Sequence, residues 1–303
     1  MTLLSVMYSV MFPVAVMAAL GAAIGRRVGL ASGPVSGLVF YLFSPALVFD
    51  RLLNLDFAAV PAARIIAVVT IGFLALAVVA FGVSTFRVRR DRSTTSAVAL
   101  CSSMGNMGNM GLPVSLLAFG EEGLDVAVLA FMTGSVLAYS GGVVIASLGA
   151  GSRARAWSAL LRVPAVWVIA PALAWNVAGV PPPAVIGHVT SSLAEAAIPL
   201  MLVVLGLQFV QRTTSHRGFA DLMDSVGLRL IGGPVIAGLA TAAVGLGGTA
   251  QHALVVLGGM PTAVAATVVA GQFGLEPQLV SRAVVVSTVL SLGTLTALIA
   301  AIG

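Results

Sequence analysis

The chain has 303 residues, of which 59% are hydrophobic and only 8% charged, with a net charge of +5. A soluble domain carries about 25% charged residues, so this deficit excludes a large water-facing surface and points to a lipid bilayer as the solvent. Every basic residue is an arginine set between apolar runs, a pattern that suits membrane topology and argues against a nucleic-acid partner.

A spanning helix needs about 20 apolar residues. Apolar windows bounded by charge, glycine or proline predict ten spans, at 4–24, 33–50, 62–86, 94–118, 123–148, 163–180, 184–210, 224–246, 251–273 and 277–300. The expected class is therefore all-α integral membrane protein, with no stretch left for a separate soluble domain. The first span has no basic segment before it and is followed by Arg26 and Arg27. A cleaved signal peptide shows the reverse order, so this span is expected to be retained.

Arginines follow spans one, three, five and seven and stand close after span nine: Arg26 and Arg27; Arg87, Arg89, Arg90 and Arg92; Arg153, Arg155 and Arg162; Arg212 and Arg217; Arg282. The opposite connections hold Arg51 and Arg64 among Asp50, Asp56, Glu121, Glu122 and Asp125. The asymmetry places the arginine-rich face in the cytoplasm and both termini outside. Asp221, Asp224 and Arg229 mark the start of span eight, where Arg229 is expected to snorkel to the interface.

Ten spans divide into two sets of five, residues 1–150 and 151–303. An odd number per set makes the two run in opposite directions, as an inverted repeat. The second span of each set holds an internal proline, Pro45 and Pro199, and the fourth holds a Gly/Pro interruption, Gly105–Pro113 and Gly258–Pro261.

The run Met104-Gly105-Asn106-Met107-Gly108-Asn109-Met110-Gly111-Leu112-Pro113 lies near the middle of span four. Glycine costs a helix interior about 1 kcal/mol relative to alanine and proline about 3. The run therefore predicts an unwound stretch between two half-helices, tolerated at that depth only inside protein or beside water. Close helix packing is the alternative reading of the glycines. Pro113 suits the first turn of the second half-helix, and Gly258-Gly259-Met260-Pro261-Thr262 repeats the arrangement in span nine. Two half-helix N-termini would face one point, each with about half a positive charge. With no arginine or lysine expected at depth, these ends and the amides of Asn106 and Asn109 are the expected attraction for an anion.

The Asn106-Met-Gly108-Asn109-Met-Gly111-Leu-Pro113 run resembles the Asn-x-Gly-Asn-x-Gly-x-Pro motif of the auxin efflux carrier family, which includes plant PIN carriers and bacterial members and is related to the bile-acid symporters. Phe40–Phe49 is similar to its second helix, Ile198-Pro199 to Leu205-Gly206 to its seventh, and Leu228-Arg229-Leu230 to Pro234 to its eighth. Met260-Pro261-Thr262-Ala263 and Ser287-Thr288-Val289-Leu290-Ser291 are similar to its ninth and tenth. The resemblance implies a bacterial inner-membrane carrier that exports a small organic anion, auxin-like or dicarboxylate, by alternating access. It implies scaffold helices 1, 2, 6 and 7 in a homodimer, and transport helices 3–5 and 8–10 with helices 4 and 9 broken and crossing at the site. Site residues carried over are Asn106, Gly108, Asn109, Gly111, Pro113, Gly259, Met260, Pro261 and Thr262. The alternative is a sodium-coupled importer like the bile-acid symporters. Their sodium site uses an acid in the ninth helix, whereas Gly258–Thr262 has none and Glu276 falls in the next loop.

Tyr139 and Ser140 in span five face the site or bond neighbouring helices. Ser287, Thr288, Ser291 and Thr294 are read as inter-helix bonds. Glu195 lies within span seven, as a carrier of a coupling proton or as an interfacial acid. His188, His216 and His252 lack metal-ligand spacing and Cys101 stands alone, so neither metal nor cofactor is expected. No paired carboxylates or Ser/His pair at depth suggests an enzyme.

Overall fold

The computed structural model describes residues 2–56, 60–88, 90–151, 164–209 and 218–302. Arg89, the segment with Arg153, Arg155 and Arg162, and the segment with Arg212, His216 and Arg217 lie outside the described residues. The described chain is helical, in eleven segments: α1 (Leu3–Val28), α2 (Ser32–Asn54), α3 (Ala62–Phe86), α4 (Arg92–Ser103), α5 (Met107–Ala150), α6 (Pro164–Ala178), α7 (Ala184–Gln208), α8 (Phe219–Ala243), α9 (Gly248–Gly258), α10 (Ala265–Phe273) and α11 (Pro277–Ile302). Seven of them, α1, α2, α3, α5, α7, α8 and α11, are long and apolar enough to cross a membrane. The other four are shorter.

With 44 residues, α5 would run about 66 Å if straight, twice the hydrocarbon thickness of a bilayer. It bends at Gly120, whose φ of 66° and ψ of −156° only glycine adopts without strain. The bend divides it into a short first limb and a long second limb.

Five helices contain a widened π turn, one of them at Val83–Val88 at the end of α3, and the other four turns each end two residues before a proline. Met7–Met11 precedes Pro13, Val39–Phe43 precedes Pro45, Met107–Gly111 precedes Pro113, and Leu228–Gly232 precedes Pro234. A proline ring clashes with the carbonyl four residues back and offers no N–H to it. The extra residue of a π turn moves that carbonyl aside. The residue before each proline reaches back five positions instead: Phe12 to Met7, Ser44 to Val39, Leu112 to Met107 and Gly233 to Leu228.

Packing follows two groupings. α1 lies against α7, and α2 against α6 and α7. A Cβ on Gly21 would stand 2.2 Å from the Val203 carbonyl oxygen, and one on Gly206 1.8 Å from that of Ala18, so α1 and α7 touch backbone to backbone. The Asn176 amide of α6 donates to the carbonyls of Leu52, Leu53 and Leu55 at 2.9–3.0 Å, satisfying the free end of α2. A second apolar cluster draws on α3, α4, the second limb of α5, α8, α10 and α11, through Phe73, Leu100, Ala138, Leu230, Val269 and Val280 among others.

Helix α8 begins at Phe219, five residues before the predicted start. Asp221 and Asp224, at the predicted edge of span eight, bind Arg90 at 2.5 and 2.7 Å between α3 and α4, and the Arg90 side chain is only 3% exposed. Burial opposes the Arg90 charge, but the hydrogen bonds with Asp224 and Asp221 outweigh it and raise its pKa above the usual arginine value.

Candidate functional site

The chain leaves helical geometry at Met104–Asn106, between α4 and α5, and at Gly259–Val264, between α9 and α10. The first break is shorter than the predicted Gly105–Pro113, because residues from Met107 onward are helical. Gly108 and Gly111 serve packing: a Cβ on the first would stand 2.9 Å from Phe131 Cε2, and one on the second 2.8 Å from Leu257 Cδ2. Pro113 is buried just after the π turn, so the helical start lies at Met107, six residues earlier than expected. Pro261 stands four residues ahead of α10 instead of in its first turn.

The two breaks satisfy each other. Gly105 and Thr262 form an isolated antiparallel bridge. The Asn106 N–H donates to the Pro261 carbonyl and the Ala263 N–H to that of Met104, both at 2.7 Å. Asn106, with φ −77° and ψ 65°, is the centre of an inverse γ-turn closed by the Met107 N–H on the Gly105 carbonyl at 2.9 Å. Thr262 donates through Oγ1 to the Cys101 carbonyl at 2.9 Å, and its N–H donates to Ser287 Oγ at 3.0 Å. Backbone freed from a helix at this depth must find such partners.

Arg229 of α8 completes the junction. It is 2% exposed. Its Nη1 donates to the carbonyls of Ser102 at 3.0 Å and Ser103 at 3.4 Å, and its Nη2 to that of Gly258. These carbonyls end α4 and α9, where helices leave acceptors unpaired. Gly105 and Gly233 leave the guanidinium room: their Cβ atoms would stand 3.3 Å from Cζ and 2.7 Å from Nη2. Among the described residues no carboxylate lies within ion-pair distance of Arg229. The expectation that Arg229 snorkels to the interface, and that no arginine stands at depth, is thus overturned. The side chain has no need to reach water because two helix ends supply its acceptors.

A cavity of about 550 Å³ opens beside this junction, within the usual range for small-molecule sites. Its wall holds Asn106, Gly108, Asn109, Tyr139 and Arg229. Aromatic rings of Phe40, Tyr41, Phe73, Phe131 and Tyr139 supply the apolar part, with Phe40 and Tyr139 5.8 Å apart. The cavity extends to the first residue of α2, Ser32, the last of α7, Gln208, and the end of α10 at Gln272. The Asn106 amide nitrogen is buried without a partner.

Of the other predicted site residues, Gly111, Pro113, Gly259, Met260, Pro261 and Thr262 are buried behind this wall and do not line it. Ser140 turns back to the Val136 carbonyl at 2.6 Å. Thr288 and Thr294 likewise bond their own helix, whereas Ser291 donates both to its own helix and across to Met110 Sδ at 3.7 Å. Glu195 is exposed and lines a different cavity of about 440 Å³, with Asp50, Arg51 and Ser191. At that side Arg51 of α2 pairs with Glu121 and, at 3.8 Å, with Asp125, both just past the bend of α5. Among the described residues no cluster of three or more His, Cys, Asp and Glu side chains is placed to hold a metal ion.

Sequence reasoning missed Arg229, Gln208 and the aromatic wall. The signal for Arg229 was present, since a charge inside an apolar run is a functional candidate by default.

A model of the membrane transport protein family matches residues 6–299. An "Uncharacterized transporter" of Methanothermobacter thermautotrophicus is 30% identical over 206 residues, 68% of this chain and 67% of that protein. A "Putative malonate transporter" of Rhizobium meliloti is 25% identical over 72% of this chain and 71% of its own. An "Auxin efflux carrier component 3a" of Oryza sativa subsp. japonica is 27% identical over 45% of this chain and 23% of its own length.

Proposed function

The chain belongs to the membrane transport protein family, which includes the auxin efflux carriers, and from that premise we propose that it is a secondary carrier exporting a small organic anion across a bacterial cytoplasmic membrane by alternating access. It is a multi-pass membrane transporter. The observation that carries the finer reading is Arg229, buried at the cavity wall without a carboxylate.

Four helix ends meet at the junction: the C-termini of α4 and α9 and the N-termini of α5 and α10. Helix ends carry roughly −0.5 and +0.5 charge, so these four sum to about zero. The two N-termini alone therefore cannot account for anion attraction. Arg229 makes the junction about +1, the charge that one carboxylate neutralises. In a partly buried site a unit charge about 4 Å away acts with about 4 kcal/mol at an effective dielectric of 20, before the anion's desolvation is subtracted. A carboxylate near Asn109 and Asn106, with its apolar body against Phe40, Phe131 and Tyr139, uses each part of the wall. An aromatic monocarboxylate, auxin-like in kind, suits this count better than a dicarboxylate dianion such as malonate, which leaves a charge uncompensated.

Alternating access fits the cavity's one-sided reach. Ten spans arise if α4 and the first limb of α5 form the fourth, the second limb the fifth, and α9 with α10 the ninth, in two inverted sets of five. The arginine pattern then assigns the start of α2 and the ends of α7 and α10 to the cytoplasm and both termini to the outside. The cavity is thus inward-facing, while the Arg51 ion pairs tie α2 to α5 on the outer side. α1, α2, α6 and α7 form the scaffold and the homodimer contact, and the remaining helices move.

Binding of indole-3-acetate and of malonate to the purified protein, by calorimetry, tests this reading. Indole-3-acetate should bind the wild type, and Asn109→Ala and Asn106→Leu should weaken it at least tenfold, about 1.4 kcal/mol. Unchanged binding in both variants would move the site elsewhere.

A further inference from the structure

The Arg229 guanidinium spends its fork on three backbone carbonyls, two at the end of α4 and one at the end of α9. An arginine that clamps a carboxylate presents that fork to the ligand. Here three of the five N–H donors are taken up, and Nε, buried and without a partner, is left with one Nη2 N–H, so Arg229 acts on an anion chiefly through its charge. Carbonyls freed at the C-termini of discontinuous helices are, in carriers built this way, ligands for a free monovalent cation. Such a cage is locally negative because two helix C-termini converge on it, although the N-termini of α5 and α10 bring the whole junction to about zero before Arg229 is counted.

We propose that the carbonyls of Ser102, Ser103 and Gly258 form a cation site that the protein fills from within. Arg229 stands where a free sodium ion would otherwise sit, so the protein keeps its junction charge without taking up an ion. A free cation cannot join it, because the guanidinium repels it and occupies the acceptors. Gly105 and Gly233 belong to the same arrangement, since a side chain at either would intrude on the guanidinium. Anion binding is therefore independent of sodium. Only that last consequence rests on the carrier reading; the cage can be tested without any anion.

The test is thermal unfolding of detergent-purified wild type, Arg229→Ala and Arg229→Lys in choline, sodium, potassium and millimolar guanidinium chlorides. The wild type should melt at one temperature in all four salts. Arg229→Ala should melt lower in choline and regain at least half of the loss in guanidinium, whose planar cation restores the same donors. Arg229→Lys should stay near the wild type, its ammonium offering three donors to three carbonyls. Wild type stabilised by sodium over choline would overturn the proposal. So would Arg229→Ala melting like wild type in choline, or a loss that neither guanidinium nor lysine recovers. If Arg229→Ala does not fold, the wild-type salt profile and the lysine variant decide. Indole-3-acetate binding to wild type in sodium and in choline then separates the two readings. Equal affinity supports both. Affinity only in sodium overturns the internal cation, and no binding in either salt overturns the carrier site while leaving the cage to the melting data.

Discussion

Gly232 and Gly233 are neighbours in α8 with opposite predicted responses to alanine. A Cβ on Gly233 would stand 2.0 Å from the Gly258 carbonyl oxygen and 2.7 Å from Arg229 Nη2. Neither can yield cheaply, because one is backbone and the other is held by the same carbonyl. Overpacking of this kind costs about 1–3 kcal/mol, and losing a buried hydrogen bond from a charged donor costs about 1.5–3 more. Gly233→Ala should therefore destabilise by about 2.5–6 kcal/mol in total. A Cβ on Gly232 meets nothing closer than Leu76 Cδ2 at 3.5 Å, an ordinary contact. Gly232→Ala should be neutral or slightly stabilising, since alanine is the better helix former. Cys101 is the sole cysteine and fully buried, so a thiol-reactive dye reports unfolding directly. Gly233→Ala exposing Cys101 at the wild-type temperature would refute the close approach of α8 to α9 and, with it, the seat of Arg229.

Three further outcomes follow from other parts of the molecule. Arg51→Ala should release α2 from the bend of α5; a partly exposed pair is worth about 1 kcal/mol at most, so a cysteine replacing Leu116 in the smaller cavity should label about fivefold faster, and unchanged labelling would dismiss the latch. Asp91 caps α4, accepting from the Thr94 N–H at 3.0 Å and Thr94 Oγ1 at 2.9 Å, and these bonds, the backbone one first, lower its pKa. A lowered carboxyl pKa gives stability that is present above the unfolded value near 3.9 and lost as pH falls through the folded value. Asp91→Asn, which still caps, should remove that acid sensitivity, and Asp91→Ala should cost about 0.5–2 kcal/mol at neutral pH, as read from melting curves at several pH values. Between two acids of similar size, the monoanion should bind at least tenfold tighter than the dianion in calorimetry, and the reverse order would contradict a junction charge of about +1.

The breaks were legible because Gly105, Asn106 and Pro261 are residues a continuous helix does not favour. Their extent was not, because Gly108 and Gly111 read as helix breakers when they are points of contact for Phe131 and Leu257. Pro13, Pro45, Pro113 and Pro234 announce kinks, but whether a kink becomes a π turn depends on what packs around it. Asp221 and Asp224 marked the edge of span eight, but their partner Arg90, more than a hundred residues earlier, could not be read from that edge. The same distance hid Arg229: its acceptors are 127, 126 and 29 residues away, and one chain read in order cannot show that they converge. Tyr139 was read with two open roles and lines the cavity, whereas Thr262 was expected at the ligand and instead bonds the Cys101 carbonyl.

A crystal of the protein grown with 4-bromobenzoate, measured at the bromine absorption edge, tests the site most directly. One strong anomalous peak is expected among Phe40, Phe131 and Tyr139, with the carboxylate toward Asn109 and weakened occupancy in Asn106→Leu. A peak beside Glu195 in the smaller cavity, or unchanged occupancy in that variant, would contradict it.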